Sequence, residues 1–205
     1  VQRLFAVFLG LVFFALLASS LAAQERVEIF VGGSYSFPAV SVVEQPVYCP
    51  VEGMCNTPST TLTSRNAIRG WELSGTRHFT SSLGLTVDAS GNYGQATSGF
   101  PTNARAREYL ILGGPQYRMP HKHFSAYVHA LFGTVHQSVN QSGNSFFVTF
   151  PSSQWAFAGA LGGGIDYKVS TDFSFRIVQA DYLLTRIGSN FQSAPRLSAG
   201  LLIRF

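Results

Sequence analysis

Charge is what this sequence has least of: Asp, Glu, Lys and Arg make up 12% of its 205 residues, about half the share usual in a soluble domain. A soluble chain of this length needs more charge than that to cover its surface. The net charge of +4 is scattered, with no basic run that could track phosphates, so no nucleic-acid partner is expected. Cysteine is nearly absent as well, with only Cys49 and Cys55. No His flanks the pair, which leaves a metal site short of ligands, and the spacing is not the C-x-x-C of redox enzymes. In an exported chain the expected reading is a local disulfide that closes a small surface loop. No convincing amphipathic helix follows residue 25.

What the chain does have is Gly, at 20 residues, and aromatics, at 14%. It also has one long apolar run at its start. Arg3 gives a short positive beginning, Leu4–Leu17 is unbroken and apolar, and small residues follow from Ala18 to Ala23. Ser20 and Ala22 suit the −3 and −1 positions of a signal peptidase site. Residues 1–22 are therefore expected to be a secretory signal peptide cleaved after Ala22 or Ala23, leaving a single domain from residue 24 to 205. The polar Gln24-Glu25-Arg26 argues against a membrane-anchoring helix.

Beyond that run the apolar residues recur with a period of two, the mark of strands with two unlike faces. Eight such segments are predicted: 27–37, 68–79, 83–92, 108–118, 124–137, 154–169, 173–186 and 196–205. The last is the cleanest, with Leu197, Ala199, Leu201, Ile203 and Phe205 against Arg196, Ser198, Gly200, Leu202 and Arg204. In the seventh, Phe173, Phe175 and Ile177 oppose Ser174 and Arg176, but Gln179 and Asp181 would then fall on the apolar face. A bulge or register change is expected there. Connections alternate between long and short. Residues 38–66, 94–107, 138–153 and 187–195 read as long loops, and 80–82, 119–123 and 170–172 as tight turns. This is the pattern of an all-β, eight-stranded, antiparallel up-and-down transmembrane β-barrel with long external loops and short periplasmic turns.

Alternation alone does not say which face meets lipid, because a soluble ligand-binding barrel has the same period. The polar face is rich in Gly, Ala and Ser, which fits a narrow lumen better than a solvated exterior. Trp71, Phe79, Tyr109, Tyr117, Trp155 and Tyr167 gather near strand ends, where interfacial girdles sit. The chain also ends on Phe205, inside an apolar stripe. By parity Glu28, Glu72, Asp88, Arg118, Asp166, Lys168, Arg176 and Arg204 point inward, and Asp181 joins them if the bulge is real. Both signs are present, so pairing across the lumen is expected, either as a structural plug or as the gate of a narrow channel.

These residues resemble the OmpA-like and opacity-type outer membrane β-barrel superfamily across the whole mature chain. The carrying segments are Asn66-Ala67-Ile68-Arg69-Gly70-Trp71-Glu72-Leu73-Ser74 and Ala160-Leu161-Gly162-Gly163-Gly164-Ile165-Asp166-Tyr167. Phe173-Ser174-Phe175-Arg176 continuing to Ala180-Asp181-Tyr182, and Arg196-Leu197-Ser198-Ala199-Gly200 leading to Phe205, complete them. The resemblance implies a bacterial outer-membrane location and a monomer embedded in outer-membrane lipid. It also implies that Leu201, Ile203 and Phe205 form the signal read by the outer-membrane insertion machinery. Members include structural anchors, adhesins and minor pores, so a structural or surface-interaction role comes first and a narrow porin-like channel second. Some barrels of this size modify lipid A with an His-x-Ser pair and a nearby Glu. His123-Phe124-Ser125 and His136-Gln137-Ser138 have the pair, but no acidic residue lies between Ser138 and Asp166, so no catalytic residue is assigned.

His121-Lys122-His123 reads as a solvated turn rather than a metal site, since no carboxylate or Cys lies beside it. Gly162-Gly163-Gly164 lacks the strand-to-helix context of a phosphate loop and reads as tight packing. No cofactor is expected. The external loops are the segments free to bind an extracellular ligand. In one of them Phe146-Phe147-Val148-Thr149-Phe150 would either extend the strands above the membrane, the preferred reading, or form a binding surface.

Overall fold

Alternating apolar and small polar residues make strands whose two faces need different surroundings, and a sheet of them finds both only by rolling up. The computed structural model describes residues 27–43, 61–65, 67–95, 103–142, 153–187 and 190–205. The chain runs through β1 (Val27–Ser36), β2 (Ala39–Val43), β3 (Thr61–Arg65), β4 (Ile68–His78), β5 (Leu83–Gln95) and β6 (Asn103–Pro120). It continues through β7 (Phe124–Ser142), β8 (Ser153–Lys168), β9 (Phe173–Ile187) and β10 (Asn190–Arg204). Eight of these close into one barrel in the order β1, β10, β9, β8, β7, β6, β5, β4, every neighbouring pair antiparallel.

Closure is the decisive step. Lipid offers no hydrogen bonds, so an unpaired strand edge in a bilayer would cost several kcal/mol per group. The seam is β1 on β10, running from Glu28 opposite Arg204 to Ser36 opposite Arg196. Phe205 extends it: its N–H donates to Val27 O at 2.9 Å, and Val27 N–H donates to Phe205 O at 3.3 Å.

Outward positions are apolar and exposed, including Val31, Leu73, Leu85, Val128, Phe132, Phe157, Leu161, Phe175 and Leu201. Two aromatic belts flank them. Tyr35, Trp71, Tyr93, Tyr109 and Trp155 lie towards the end with the long connections, and Phe79, Tyr117, Phe124, Tyr167, Phe173 and Phe205 towards the tight turns. Within the belts Tyr93 meets Tyr109 edge to face, and Phe124 lies 5.2 Å from Tyr167. The short-turn end is the periplasmic one in barrels of this kind.

The strands reach further outward than their alternation predicts. β5 runs to Gln95, β6 starts at Asn103 and β7 runs to Ser142, so parts of the expected loops 94–107 and 138–153 are paired strand. Of the connection expected at 187–195, residues 190–195 are strand. β10 begins at Asn190, which pairs with Ile187, and even Pro195 sits in the ladder opposite Tyr182. The expected loop 38–66 contains the separate hairpin of β2 and β3, Ala39 pairing with Arg65 and Val43 with Thr61. Cys49, Cys55, the apolar leader and residues 146–150 lie outside the described residues.

The parity break in the seventh barrel strand is a β-bulge. Asp166 pairs with Arg176 but Ile165 with Val178, so Ile177 is the extra residue. The partner on the other side shows the same shift, from Ser198 opposite Gln179 to Gly200 opposite Arg176. Ile177 and Val178 both face outward, and Gln179, Asp181, Leu183 and Thr185 are returned to the interior.

The barrel lumen as candidate functional site

Every barrel strand sends alternate residues inward, and the sequence loads those positions with charge at two levels. At the short-turn end Glu28 on β1 is the centre. Its carboxylate accepts hydrogen bonds from Arg118 Nη1 on β6, from Arg204 Nε on β10 at 2.7 Å, and lies 3.1 Å from His78 Nε2 on β4. Arg204 also donates to Ser174 Oγ. Thr76, Thr86 and Gln116 form a neutral chain beside this cluster, with Thr86 donating to Gln116 Oε1 at 3.0 Å.

Higher in the barrel the centre is Arg196 on β10, whose side chain is fully buried. Its Nε and Nη2 donate to Asp181 Oδ2 on β9 at 3.0 and 2.6 Å. Its Nη1 donates to Asp88 Oδ1 and Ser90 Oγ on β5, and lies 3.6 Å from Glu72 Oε2 on β4. Gln179 Nε2 bridges Glu72 and Asp181, Ser198 donates to Glu72, and His129 Nε2 lies 2.8 Å from Asp181 Oδ1. The partners of Arg196 stand on three other strands of the barrel, β4, β5 and β9, so the guanidinium bonds straight across the lumen.

Between the two levels Arg176 lies over the rings of Phe30 and Tyr127, with its centre 4.4 and 4.3 Å from theirs. Its Nε donates to Asp166 Oδ1 at 2.9 Å and its Nη1 to Gln179 Oε1 at 2.7 Å. Such a cation is held by ring quadrupoles as well as by its carboxylate. Tyr127 approaches Gly164, where an added Cβ would come 2.7 Å from its hydroxyl and 2.9 Å from its ring. Gly162 is similarly constrained, because a Cβ there would sit 2.0 Å from Asp181 Oδ1. The glycine run thus makes room for lumen side chains as well as for neighbouring strands.

Glu28, Glu72, Asp88, Arg118, Asp166, Arg176, Asp181 and Arg204 are all buried inside the barrel. Lys168 is set apart. It is only half-buried, and its Nζ donates to His121 O in the turn between β6 and β7 at 2.9 Å. Arg196 itself shares the inward parity of Arg204, but nothing in the local pattern ranks it above its neighbours. Arg196, His78, His129, Gln179 and Glu108 complete the network, and Glu108 accepts from Gln137.

The lumen is not polar throughout. Leu110, Leu112, Leu131, Val135, Ala158, Ala160, Leu183 and Ala194 form a buried apolar cluster on the wall of β6–β10. It reaches from the level of Arg196 towards the long-loop end. Alternation is weak in β6, where Tyr109, Leu110, Ile111 and Leu112 are apolar on both faces.

The two His-x-Ser pairs are placed differently. His123 sits in an exposed turn, while Ser125 is buried on the lumen wall. His136 faces outward, its ring tilted against that of Trp155 at 4.7 Å, and bonds Ser153 Oγ at 2.8 Å. The nearest carboxylate on the neighbouring strand, Glu108, faces inward. Among the described residues no three His, Cys, Asp or Glu side chains are grouped as a metal site would require.

The fold has known counterparts. The attachment invasion locus protein Ail of Yersinia pestis superposes with a TM-score of 0.56 at 16% identity, over 89% of this chain and 100% of that one. Neisserial surface protein A (NspA) gives 0.55 at 16% identity, over 89% and 100%. At such identity the likeness is one of fold. No curated protein matches the sequence. The sequence signature described as the outer membrane protein beta-barrel domain matches residues 6–205. With the closed barrel, its apolar exterior and its polar lumen, this places the chain in the outer membrane protein β-barrel family, a protein of the bacterial outer membrane.

Proposed function

We propose that the protein acts at the cell surface as a closed, monomeric barrel that holds its outer hairpins and loops for interaction with an extracellular ligand. The observation that carries this reading is Arg196, fully buried and bonded across the lumen to β4, β5 and β9. A lumen crossed by such bonds, with an apolar cluster beside them, is a plug. Breaking one buried pair leaves an uncompensated charge at a cost of about 3–5 kcal/mol, so solutes have no low-energy path. The extended hairpins supply the other half of the argument. β6 and β7 contain 18 and 19 residues, whereas roughly 9–11 cross the hydrocarbon. The surplus stands above the bilayer as a rigid support for loops. Ail, similar in fold, is named for attachment and invasion. Leu201, Ile203 and Phe205 on the seam strand are the surface offered to the insertion machinery.

Planar-bilayer recordings together with a cell-attachment assay test the proposal. The wild type is expected to be silent, and replacing residues 39–65 by a short turn is expected to reduce attachment while the barrel still folds. Steady conductance, or attachment unchanged in this variant, would overturn it. The second reading, a narrow channel gated by exchange of ion pairs, is favoured by a cavity of about 480 Å³ at the short-turn mouth, lined by the Glu28 partners Arg118 and Arg204. It predicts a silent wild type that conducts when Arg196 or Asp181 is neutralised.

A further inference from the structure

The short-turn mouth of the barrel opens into a cavity of about 480 Å³. Its walls carry Arg118, Arg204, Lys122, Lys168 and His123, with Asp172 as the one acidic side chain among the lining residues. The charge balance here is the reverse of that at the centre of the barrel. Around Arg196 three carboxylates face one guanidinium. At the mouth one carboxylate, Glu28, serves two guanidiniums and a histidine. Glu28 leaves donors over: Arg118 Nε and Arg204 Nη2 are buried without a hydrogen-bond partner, on side chains only 6% exposed. Lys122 and Lys168 add positive charge at the rim, and Asp172 offsets part of it.

We propose that this vestibule is a binding site for a phosphate group. A phosphate group presents acceptor oxygens in a tetrahedron, so it can take guanidinium forks and point-charged ammonium groups from several walls at once, and four cationic side chains line this cavity against one acidic side chain. A planar carboxylate, with two oxygens, reaches fewer of them. The cavity is wide enough for the group to arrive free in the periplasm or attached to a lipid. Phe205 lines the same cavity and belongs to the aromatic belt at the inner-leaflet interface, so a phospholipid headgroup could reach over the rim. The shared chemistry is the phosphate.

The test uses the folded barrel in phosphate-free polyoxyethylene detergent micelles, with backbone amide resonances followed by NMR. Inorganic phosphate is titrated at constant ionic strength, and dihexanoyl phosphatidylglycerol is titrated separately. Saturable shifts are expected at Lys122, Lys168, Asp172 and Arg204. Binding should weaken about tenfold or more in Lys122→Ala/Lys168→Ala, the loss of charge-assisted hydrogen bonds, and stay unchanged in Arg105→Ala/Arg107→Ala at the opposite end. Lys122→Ala alone, which leaves the Lys168–His121 bond intact, should weaken binding in the same direction. A heat-modifiability gel checks that each variant is folded. If phosphatidylglycerol binds more tightly and spreads the shifts to Phe173 and Phe205, the source is a headgroup; if only inorganic phosphate binds, it is soluble. The absence of saturable shifts, or equal losses in the two double variants, overturns the proposal.

Discussion

Arg196 and Asp181 stand directly opposite each other on β10 and β9, and Nη2 of the guanidinium lies 2.6 Å from Oδ2 of the carboxylate. A cross-strand pair of opposite charge on a surface is worth roughly 0.2–1 kcal/mol. This one is different because both side chains are sealed from solvent and the same guanidinium also serves Asp88 and Glu72. Its removal leaves three carboxylates facing one another. Arg196→Met is therefore expected to cost about 3–5 kcal/mol, read from urea titrations in lipid vesicles by the fluorescence of Trp71 and Trp155. Adding Asp181→Asn to that variant should recover part of the loss, since it removes one of the stranded charges. A cost within about 0.5 kcal/mol, the range of an ordinary surface substitution, would show that Arg196 does not hold the lumen together.

The glycines offer a sharper comparison, because two of them differ only in what lies beside them. At Gly162 an added methyl would sit 2.0 Å from Asp181 Oδ1 and 2.6 Å from Ala180 O. At Gly75 nothing lies within 4 Å. Gly162→Ala must push the Asp181 carboxylate away from His129 and Arg196, at the cost of overpacking, about 1–3 kcal/mol. Gly75→Ala meets no obstacle and restricts the unfolded chain, so it should be neutral or stabilise by up to about 1 kcal/mol. Equal effects of the two substitutions in the same vesicle assay would count against the close approach at Gly162.

Much of the barrel could be read from period two alone, and the reasons it could are local. A strand such as Arg196–Phe205, polar on one face and apolar on the other, leaves no choice of orientation once lipid is the solvent. The misplaced parity of Gln179 and Asp181 located the bulge for the same reason. The connection expected at 187–195 was read as a loop because Asn190 and Pro195 are locally turn residues, whereas pairing of 190–195 with β9 is a tertiary effect that overrides them. Arg196 was visible as an inward residue but not as the hub. Its partners Glu72 and Asp88 are more than 100 positions away, and only the stagger of a closed barrel sets them at one height. The apolar lumen cluster escaped because β6 is apolar on both faces, so alternation carried no signal there.

The bulge makes its own prediction. Ile177 is the residue by which β9 exceeds its partners, and a strand has no other way to change face. Deleting it removes the bulge and keeps every face: Val178 then follows Arg176 opposite Ile165, and Gln179, Asp181, Leu183 and Thr185 stay inside. The deletion variant is therefore expected to give the heat-modifiable band of a folded barrel in outer-membrane fractions. Deleting Leu161 from β8, a strand with no extra residue against β7, turns the faces of one side over. Either Asp166 then meets lipid or Trp155 and Phe157 enter the lumen, at several kcal/mol, and no such band is expected. Loss of the band in the Ile177 deletion would mean that the extra residue is not what sets the strand's orientation.

The apolar cluster can be tested against the outer surface with a single pair of leucines. Leu131 is fully buried inside the barrel, whereas Leu161 on the neighbouring strand is 60% exposed on the lipid side. Truncation to Ala removes the same methyl groups from both and forfeits a similar transfer energy. Inside, Leu110, Leu112, Leu183 and the other members of the cluster are held by the barrel wall and cannot close the gap fully, so a cavity remains. Outside, mobile acyl chains fill the space at once. Leu131→Ala should therefore cost about 2–5 kcal/mol and exceed Leu161→Ala by about 1–2 kcal/mol, the cavity contribution. Chevron or equilibrium urea titrations of the two variants in the same lipid would measure the difference directly. A Leu161→Ala cost equal to or larger than that of Leu131→Ala would mean that the interior collapses around the missing side chain, and that the upper lumen is not packed as a core.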